Sequence, residues 1–282
     1  MDIQQQNNTL TRYLYNKTEV KHSLFIAILE HTIDEALFWG FELYYSGFEE
    51  DTIIFLQNIF ITLFQKTNPS LTEYVDTCIS KWNEINEPIY FGNLIATLCT
   101  RQYDLQEFCK TYFGVTGEHS INEKKHFIVS LDEEYIKAYQ NNNSDILPRN
   151  ILKTKCIYKI HKSFNTLFDI VNPSQFELCK RIREDWLYYA SYSPIWESRI
   201  NQYNGIIDHE NKRVVFQNDD DFENFYELWE YEPDEQGKEV FHNIIGYENE
   251  KQIGIKEFCN KYGFNLKTKK IKSIKRQNNH II

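Results

Sequence analysis

Asp219, Asp220 and Asp221, with Glu223 close behind, put four carboxylates into five residues. An oxygen cluster of that kind can hold a divalent cation. A calcium loop, however, needs ligands at alternating positions and usually a glycine for its sharp turn, and this stretch has neither. The acids read instead as a helix cap and first turn, with Asp220 or Asp221 as the cap, where negative charge meets the positive end of the dipole. Tyr231-Glu-Pro-Asp-Glu-Gln236 offers a second group of carboxylates, but acid–base work needs a shifted pKa inside a cleft. A turn and a helix start suit Asp after Pro better. Cys156 and His161 stand five apart among Lys153, Lys155 and Lys159, the positive surroundings that a thiolate nucleophile wants. Five apart is not one helical face, and no oxyanion donor or orienting acid accompanies the pair. A buried cysteine on an ordinary helix is the preferred reading. His22 and His31 are nine apart, which does not bring both to one metal, and they are read as core or surface histidines.

Other chemistries lack their parts. No phosphate loop, dinucleotide fingerprint, nucleophile elbow or kinase set occurs, and ten glycines in 282 residues leave few places for a phosphate cradle. The six cysteines, Cys78, Cys99, Cys109, Cys156, Cys179 and Cys259, include no pair two apart, so redox CxxC and zinc-ribbon readings fail. Without a secretory signal or an apolar run near ~18 residues, the expectation is an unsecreted protein in a reducing compartment, with free thiols and no membrane span. No catalytic, cofactor-binding or metal-ligating residue is assigned.

Charge is the most suggestive remaining feature. Lys267-Thr-Lys-Lys-Ile-Lys-Ser-Ile-Lys-Arg276 lies in an acid-free stretch from Asn265 to Ile282 with six positive residues. Taking those six from the net charge of −10 leaves −16 on the rest of the chain. Lys267, Lys269, Lys270, Lys272, Lys275 and Arg276 are the candidate polyanion contacts, since each neutralised phosphate releases a counterion; a solvated tail is the alternative. The rings of Trp186-Leu-Tyr-Tyr-Ala190 and Tyr192-Ser-Pro-Ile-Trp196, flanked by Lys180, Arg181, Arg183 and Arg199, are a lesser candidate for stacking bases. Core packing of those rings is preferred.

The elements that must position these residues are helices. Hydrophobic residues at 41%, aromatics at 16%, 20 Phe and 19 Tyr against six Pro predict long packed elements with few tight turns. From about Thr18 to His31, Val20, Leu24, Ala27 and Ile28 recur at helical spacing. A second helix carries Ala36 to Tyr44 and stops at Gly47, a left-handed cap. Gly40 inside it costs ~1 kcal/mol relative to Ala, so a close approach is expected there, with Ala27 of the first helix as the partner. Further helices are predicted over 50–65, 70–82, 89–101 and 104–113. The segment 114–120 is a candidate domain boundary, and 127–131 is open between strand and helix. Helical patterns resume over 151–168, 174–190, from Ser193-Pro194, from the acids at 219–221, over 235–245 and 255–262. One hairpin is predicted over residues 206–216. The expected fold is mainly α, a multi-helix bundle with one small β-hairpin in the C-terminal half. Its predicted parts are a mobile N-terminal tail over 1–16, an N-terminal helical bundle over 17–115, a C-terminal mainly helical region over 116–264 and a basic tail over 265–282.

Two stretches carry a resemblance. Asp34-Glu-Ala-Leu-Phe-Trp39 is followed by Glu42-Leu-Tyr-Tyr-Ser-Gly-Phe-Glu-Glu50; later come Ser193-Pro-Ile-Trp196, Phe225-Tyr226 and Tyr231-Glu-Pro-Asp-Glu-Gln236. In that order they resemble a widespread uncharacterised protein family of nucleocytoplasmic large DNA viruses. Residues 19–50 alone also look like the helical hairpin in the C-terminal domain of clamp-loader-related ATPases, although this chain has no ATP-binding loop. Neither resemblance assigns a catalytic residue. The expectation is a non-enzymatic helical viral protein, a scaffold or adaptor in the viral factory or virion of a host cell, whose partners are other viral or host proteins. The alternative is a nucleic-acid-associated accessory factor of viral replication or transcription that uses the basic tail. Oligomeric state is left open.

Overall fold

The computed structural model describes residues 9–120, 127–140, 145–162, 174–247 and 253–267. Its centre is a pair of antiparallel helices, α1 (Lys17–Glu30) and α2 (Ile33–Leu43). Asn16 caps α1, its side chain accepting from the Thr18 and Glu19 amides. His31 ends the helix in the left-handed conformation with φ 62°. From Thr18 to Leu29 every residue but Lys21 is buried, so α1 is a core helix covered on all sides rather than an amphipathic one.

As the sequence predicts, the helical path breaks at Gly47, which takes φ 88° within the segment Tyr44–Phe48; across that kink α3 (Glu49–Ile59) follows and leads into a π-turn, Phe60–Phe64. A left-handed glycine suits that kink, and it lets the Pro194 ring come within 2.5 Å of where a Cβ would sit. After a short turn of 3₁₀ helix come α4 (Thr72–Ile85), α5 (Pro88–Cys99) and α6 (Gln106–Phe113). Proline at the first position of α5 starts a helix without losing a hydrogen bond. α5 packs against α2, and the close approach expected at Gly40 is made here. A Cβ on Gly40 would lie 2.3 Å from Ile95 Cδ1 and 3.3 Å from Phe91 Cε1, so the helix that uses the gap is α5 and not α1.

The second half contributes α7 (Glu133–Lys137), α8 (Pro148–Lys155), α9 (Gln175–Glu184), α10 (Trp186–Ala190), α11 (Pro194–Gln202), α12 (Asp219–Trp229), α13 (Lys238–Ile245) and α14 (Ile255–Lys261). The predicted hairpin is β2 (Gly205–Asp208) with β3 (Arg213–Phe216), antiparallel with Ile206 opposite Val215. A second small sheet was not predicted: β1 (Gly117–His119) pairs antiparallel with β4 (Phe264–Leu266). Three-residue strands far apart in the chain leave no local alternation to read. The fold is therefore mainly α with two small two-stranded sheets.

The structure corrects several boundaries. Residues 9–16 are not a mobile tail. Leu10, Thr11, Leu14 and Tyr15 are wholly buried, and Arg12 and Tyr13 nearly so. The strap is tied to both halves of the chain: Arg12 N donates to Ser46 Oγ at 2.9 Å, Arg12 Nε to Glu42 Oε2 at 2.9 Å, and Tyr13 N to Glu42 Oε1 at 3.0 Å. Leu10 N donates to the Tyr189 carbonyl and Trp196 Nε1 to the Thr11 carbonyl. Residues 1–8 lie outside the described part. The segment 114–120, expected to separate two domains, carries β1, and one hydrophobic cluster runs from Leu10 through to Phe264. Residues 127–131 are neither strand nor helix. They are held by side chains of α5 and the residue that follows it, with Val129 N donating to Thr97 Oγ1, Leu131 N to Asn93 Oδ1, and Thr100 Oγ1 to the Phe127 carbonyl. Of the helix predicted over 151–168, only α8 forms; residues 156–162 have no regular structure, and the remainder is outside the described residues. The basic tail cannot begin at 265, because Asn265 and Leu266 belong to β4.

Candidate functional site

A cleft of about 510 Å³ opens where the end of α1, the α5–α6 connection, β1 and the α14–β4 turn meet. That volume is within the range of small-ligand sites. Its walls include Glu30, His31, Tyr103, His119, Lys261 and Tyr262. The left-handed cap of α1 turns His31 so that its Nδ1 donates to the Cys99 carbonyl at 2.6 Å. The His31 ring stacks on Tyr103, with centroids 5.7 Å apart, and Tyr103 in turn lies 5.3 Å from His119. On the other side Glu30 Oε1 accepts from Lys261 Nζ at 2.6 Å and from the Tyr262 hydroxyl at 2.8 Å.

Burial works to raise the Glu30 pKa, but the hydrogen bonds from Lys261 and Tyr262, with the lysine charge, outweigh it and hold the carboxyl below its usual range. Burial, with the Glu30 charge, pushes Tyr103 up to about 12 and raises Tyr262 as well. Burial also lowers His119, against the opposing charge of Asp104, which favours the neutral imidazole. His119 Nδ1 has no hydrogen-bond partner among the described residues. Ser120 Oγ donates to the Gly263 carbonyl at 3.0 Å rather than to an imidazole. The lining is thus suited to hold a polar ligand, while its ionisable groups largely satisfy one another.

The Glu30 latch joins α1 to α14, and its effect on stability has a defined sign. A carboxyl with a lowered folded pKa contributes stability that is present above its unfolded value of 4.5 and lost as pH falls through the folded value. Glu30→Gln is expected to cost about 1 kcal/mol near neutral pH. The gap between variant and wild type should close as urea melts are taken down to about pH 3. A gap that stays constant with pH would show that the Glu30 charge contributes nothing to the latch.

The residues picked from the sequence go elsewhere. Asp219, Asp220 and Asp221 form the first turn of α12, but Asn218 is the cap, its Oδ1 accepting from Asp221 N at 2.8 Å; the amides of Asn204 and Asn218 donate to the Asp221 carboxylate. Gln236 closes the 231–236 stretch as a turn, its Nε2 donating to the carbonyls of Tyr231 and Arg149. Cys156 is buried with Sγ 3.7 Å from the Tyr13 carbonyl, and burial, with the Glu42 charge, pushes its thiol up. His161 pairs with Glu35 at 2.9 Å, so thiol and imidazole face different partners. His22 is buried in α1.

The aromatic stretch is core. Trp196 is wholly buried against Trp186, Trp229 and Tyr231. The Arg199 guanidinium lies 4.4 Å from the Trp196 ring and 3.8 Å from that of Trp229, while Arg181 and Arg183 cover Tyr189 and Phe241. Most of these rings are packed within the protein, with Trp186 and Tyr192 half-buried at its edge. Of the tail cations only Lys267 is described. Its Nζ is 2.9 Å from Glu118 Oε1 and its amide donates to the Thr116 carbonyl. Lys269, Lys270, Lys272, Lys275 and Arg276 lie outside the described residues. Sequence reasoning missed Tyr103, His119, Lys261 and Tyr262, which come together only through the β1–β4 pairing.

A second feature is the hairpin. Ile207, Val214 and Phe216 are half-buried and pack against the core, with Phe216 against Phe225 and Tyr226 of α12. On the opposite face Ile206 and Val215 stand directly across from each other, 57% and 41% exposed. Beside them Arg213 Nε and Asp208 Oδ2 are 3.3 Å apart.

Among the described residues no helix is long and apolar enough to cross a membrane, and no group of three or more His, Cys, Asp or Glu is arranged to hold a metal ion. Compared with known protein families, curated proteins and solved structures, the chain matches none.

Proposed function

We propose that this protein is a non-enzymatic scaffold or adaptor that works through protein–protein contacts, with the outer face of the β2–β3 hairpin as its docking element. The observation that carries the reading is the exposed Ile206–Val215 pair on a hairpin whose other face is anchored to α12. A short two-stranded sheet offers strand edges for pairing with an extended segment of another chain. The apolar pair beside those edges adds burial on docking at roughly 25 cal/mol per Å². The resemblance to the family of large DNA viruses supports a setting in the viral factory or the virion of the host cell.

Ile206→Glu combined with Val215→Glu tests this. Both residues are exposed, so the thermal melt should stay close to wild type, within about 0.5 kcal/mol per substitution. In cross-linked infected cells, partners recovered with the wild type should fall by about tenfold or more with the double variant, corresponding to ~1.4 kcal/mol. Equal recovery from the two proteins would rule the hairpin out as the docking element.

The second reading, a nucleic-acid-associated accessory factor, is supported by the acid-free charge of the tail. A salt-dependent shift on DNA or RNA that disappears when residues 268–282 are removed would favour it.

A further inference from the structure

Two thiols that are 150 residues apart in the sequence meet in the core. Cys109 on α6 and Cys259 on α14 have their Sγ atoms 4.0 Å apart, and both residues are wholly buried and reduced. Their surroundings are aromatic. Phe258, next to Cys259, lies parallel to Phe25 at 6.3 Å and edge-on to Phe113 at 5.4 Å, and Phe108 packs beside it. A disulfide needs the sulfurs at ~2.0 Å, so closing the gap takes a movement on the scale of a side chain. Cys156 is directed at the Tyr13 carbonyl and Cys78 neighbours Tyr74, whereas Cys109 and Cys259 are directed at each other.

We propose that Cys109 and Cys259 are a modification site, forming a reversible disulfide that staples α14 and β4 to the N-terminal helices when an oxidant of the peroxide class reaches them. The thiolate of one cysteine attacks a peroxide oxygen; the S–O bond forms as the O–O bond breaks, giving a sulfenic acid and one water. The second thiolate attacks that sulfur; the S–S bond forms, the S–O bond breaks, and the departing hydroxide takes a proton to become the second water. Two thiols lose two electrons in total and the peroxide gains them.

The site is gated by its own burial. Burial holds both thiols above their usual range, with the neighbouring sulfur adding to the effect at Cys109. A docked α14 therefore keeps the pair reduced, and reaction follows local opening of that helix. Seven residues long and followed by β4, α14 is held by the Glu30 latch and the β1–β4 pairing.

The test uses the full chain treated with hydrogen peroxide, then denatured, alkylated and peptide-mapped. The expected product is an internal disulfide joining the peptides of Cys109 and Cys259, faster migration on a non-reducing gel and a melting temperature raised by several degrees, as loop closure in the unfolded chain predicts. Dithiothreitol should reverse all three. Cys109→Ala and Cys259→Ala should each abolish the product; should either fail to fold, the wild-type peptide map decides alone. Full alkylation of both cysteines after peroxide, or a cross-link that maps to another pair, would overturn the proposal.

Discussion

Deleting residues 1–16 is expected to leave a chain that does not fold. Residues 1–8 are rich in Gln and Asn and carry no apolar pattern, and residues 10–15 offer at most a short lead-in helix, which is how a dispensable terminus looks. In the structure Leu10, Tyr13, Leu14 and Tyr15 are at most 2% exposed. At roughly 1.5–3 kcal/mol for each large buried side chain, the loss is about 6–12 kcal/mol, comparable with the whole stability of an ordinary domain at about 5–15 kcal/mol. Orphaned partners add to it. Glu42 is wholly buried and would lose both Arg12 and the Tyr13 amide, and stripping one partner from a buried ion pair costs about 3–5 kcal/mol by itself. The Trp196 indole N–H would lose the Thr11 carbonyl. Far-UV circular dichroism and a thermal melt of the truncated chain decide the matter. A cooperative transition at the wild-type temperature would mean that the strap is an ornament on a core complete without it.

Gly40→Leu should destabilise by about 1–3 kcal/mol or more through overpacking. The first added carbon already lies 2.3 Å from Ile95 Cδ1, and the branched end of leucine must displace Phe91 as well. Gly40→Ala separates the steric cost from helix propensity, because alanine gains ~1 kcal/mol in a helix interior and still meets the Ile95 methyl. Ile95→Val removes that methyl, so the double substitution Gly40→Ala with Ile95→Val should recover part of the loss, giving a coupling energy of about 0.5–3 kcal/mol in a double-mutant cycle. Additive effects, or an unchanged melting temperature for Gly40→Leu, would place Gly40 away from α5.

The helices were legible because their determinants are local. The apolar repeat of α1, the left-handed Gly47, the Ser193-Pro194 start of α11 and the β-branched runs around the 208–213 turn each act within a few residues of the element they define. Such signals survive in a linear chain. Asn218 was missed as the cap of α12 because three aspartates beside it are equally good caps, and which one has the extended backbone is decided in the folded protein.

Other features depend on residues distant in sequence. Leu10, Thr11 and Arg12 read as part of a solvated terminus until Ser46, Glu42, Tyr189 and Trp196 supply the hydrogen bonds that make the burial of their polar groups tolerable. The cleft assembles when β4 returns to β1 and sets Lys261 and Tyr262 on Glu30. The Cys109–Cys259 contact comes from the same docking. By itself the sequence determined the helical class and where most helices begin and end, because capping and amphipathic spacing are near-neighbour interactions. Only the tertiary structure decided what the buried polar groups pair with, which helix fills the gap at Gly40 and where the ionisable residues meet, because those contacts join positions with no shared local pattern.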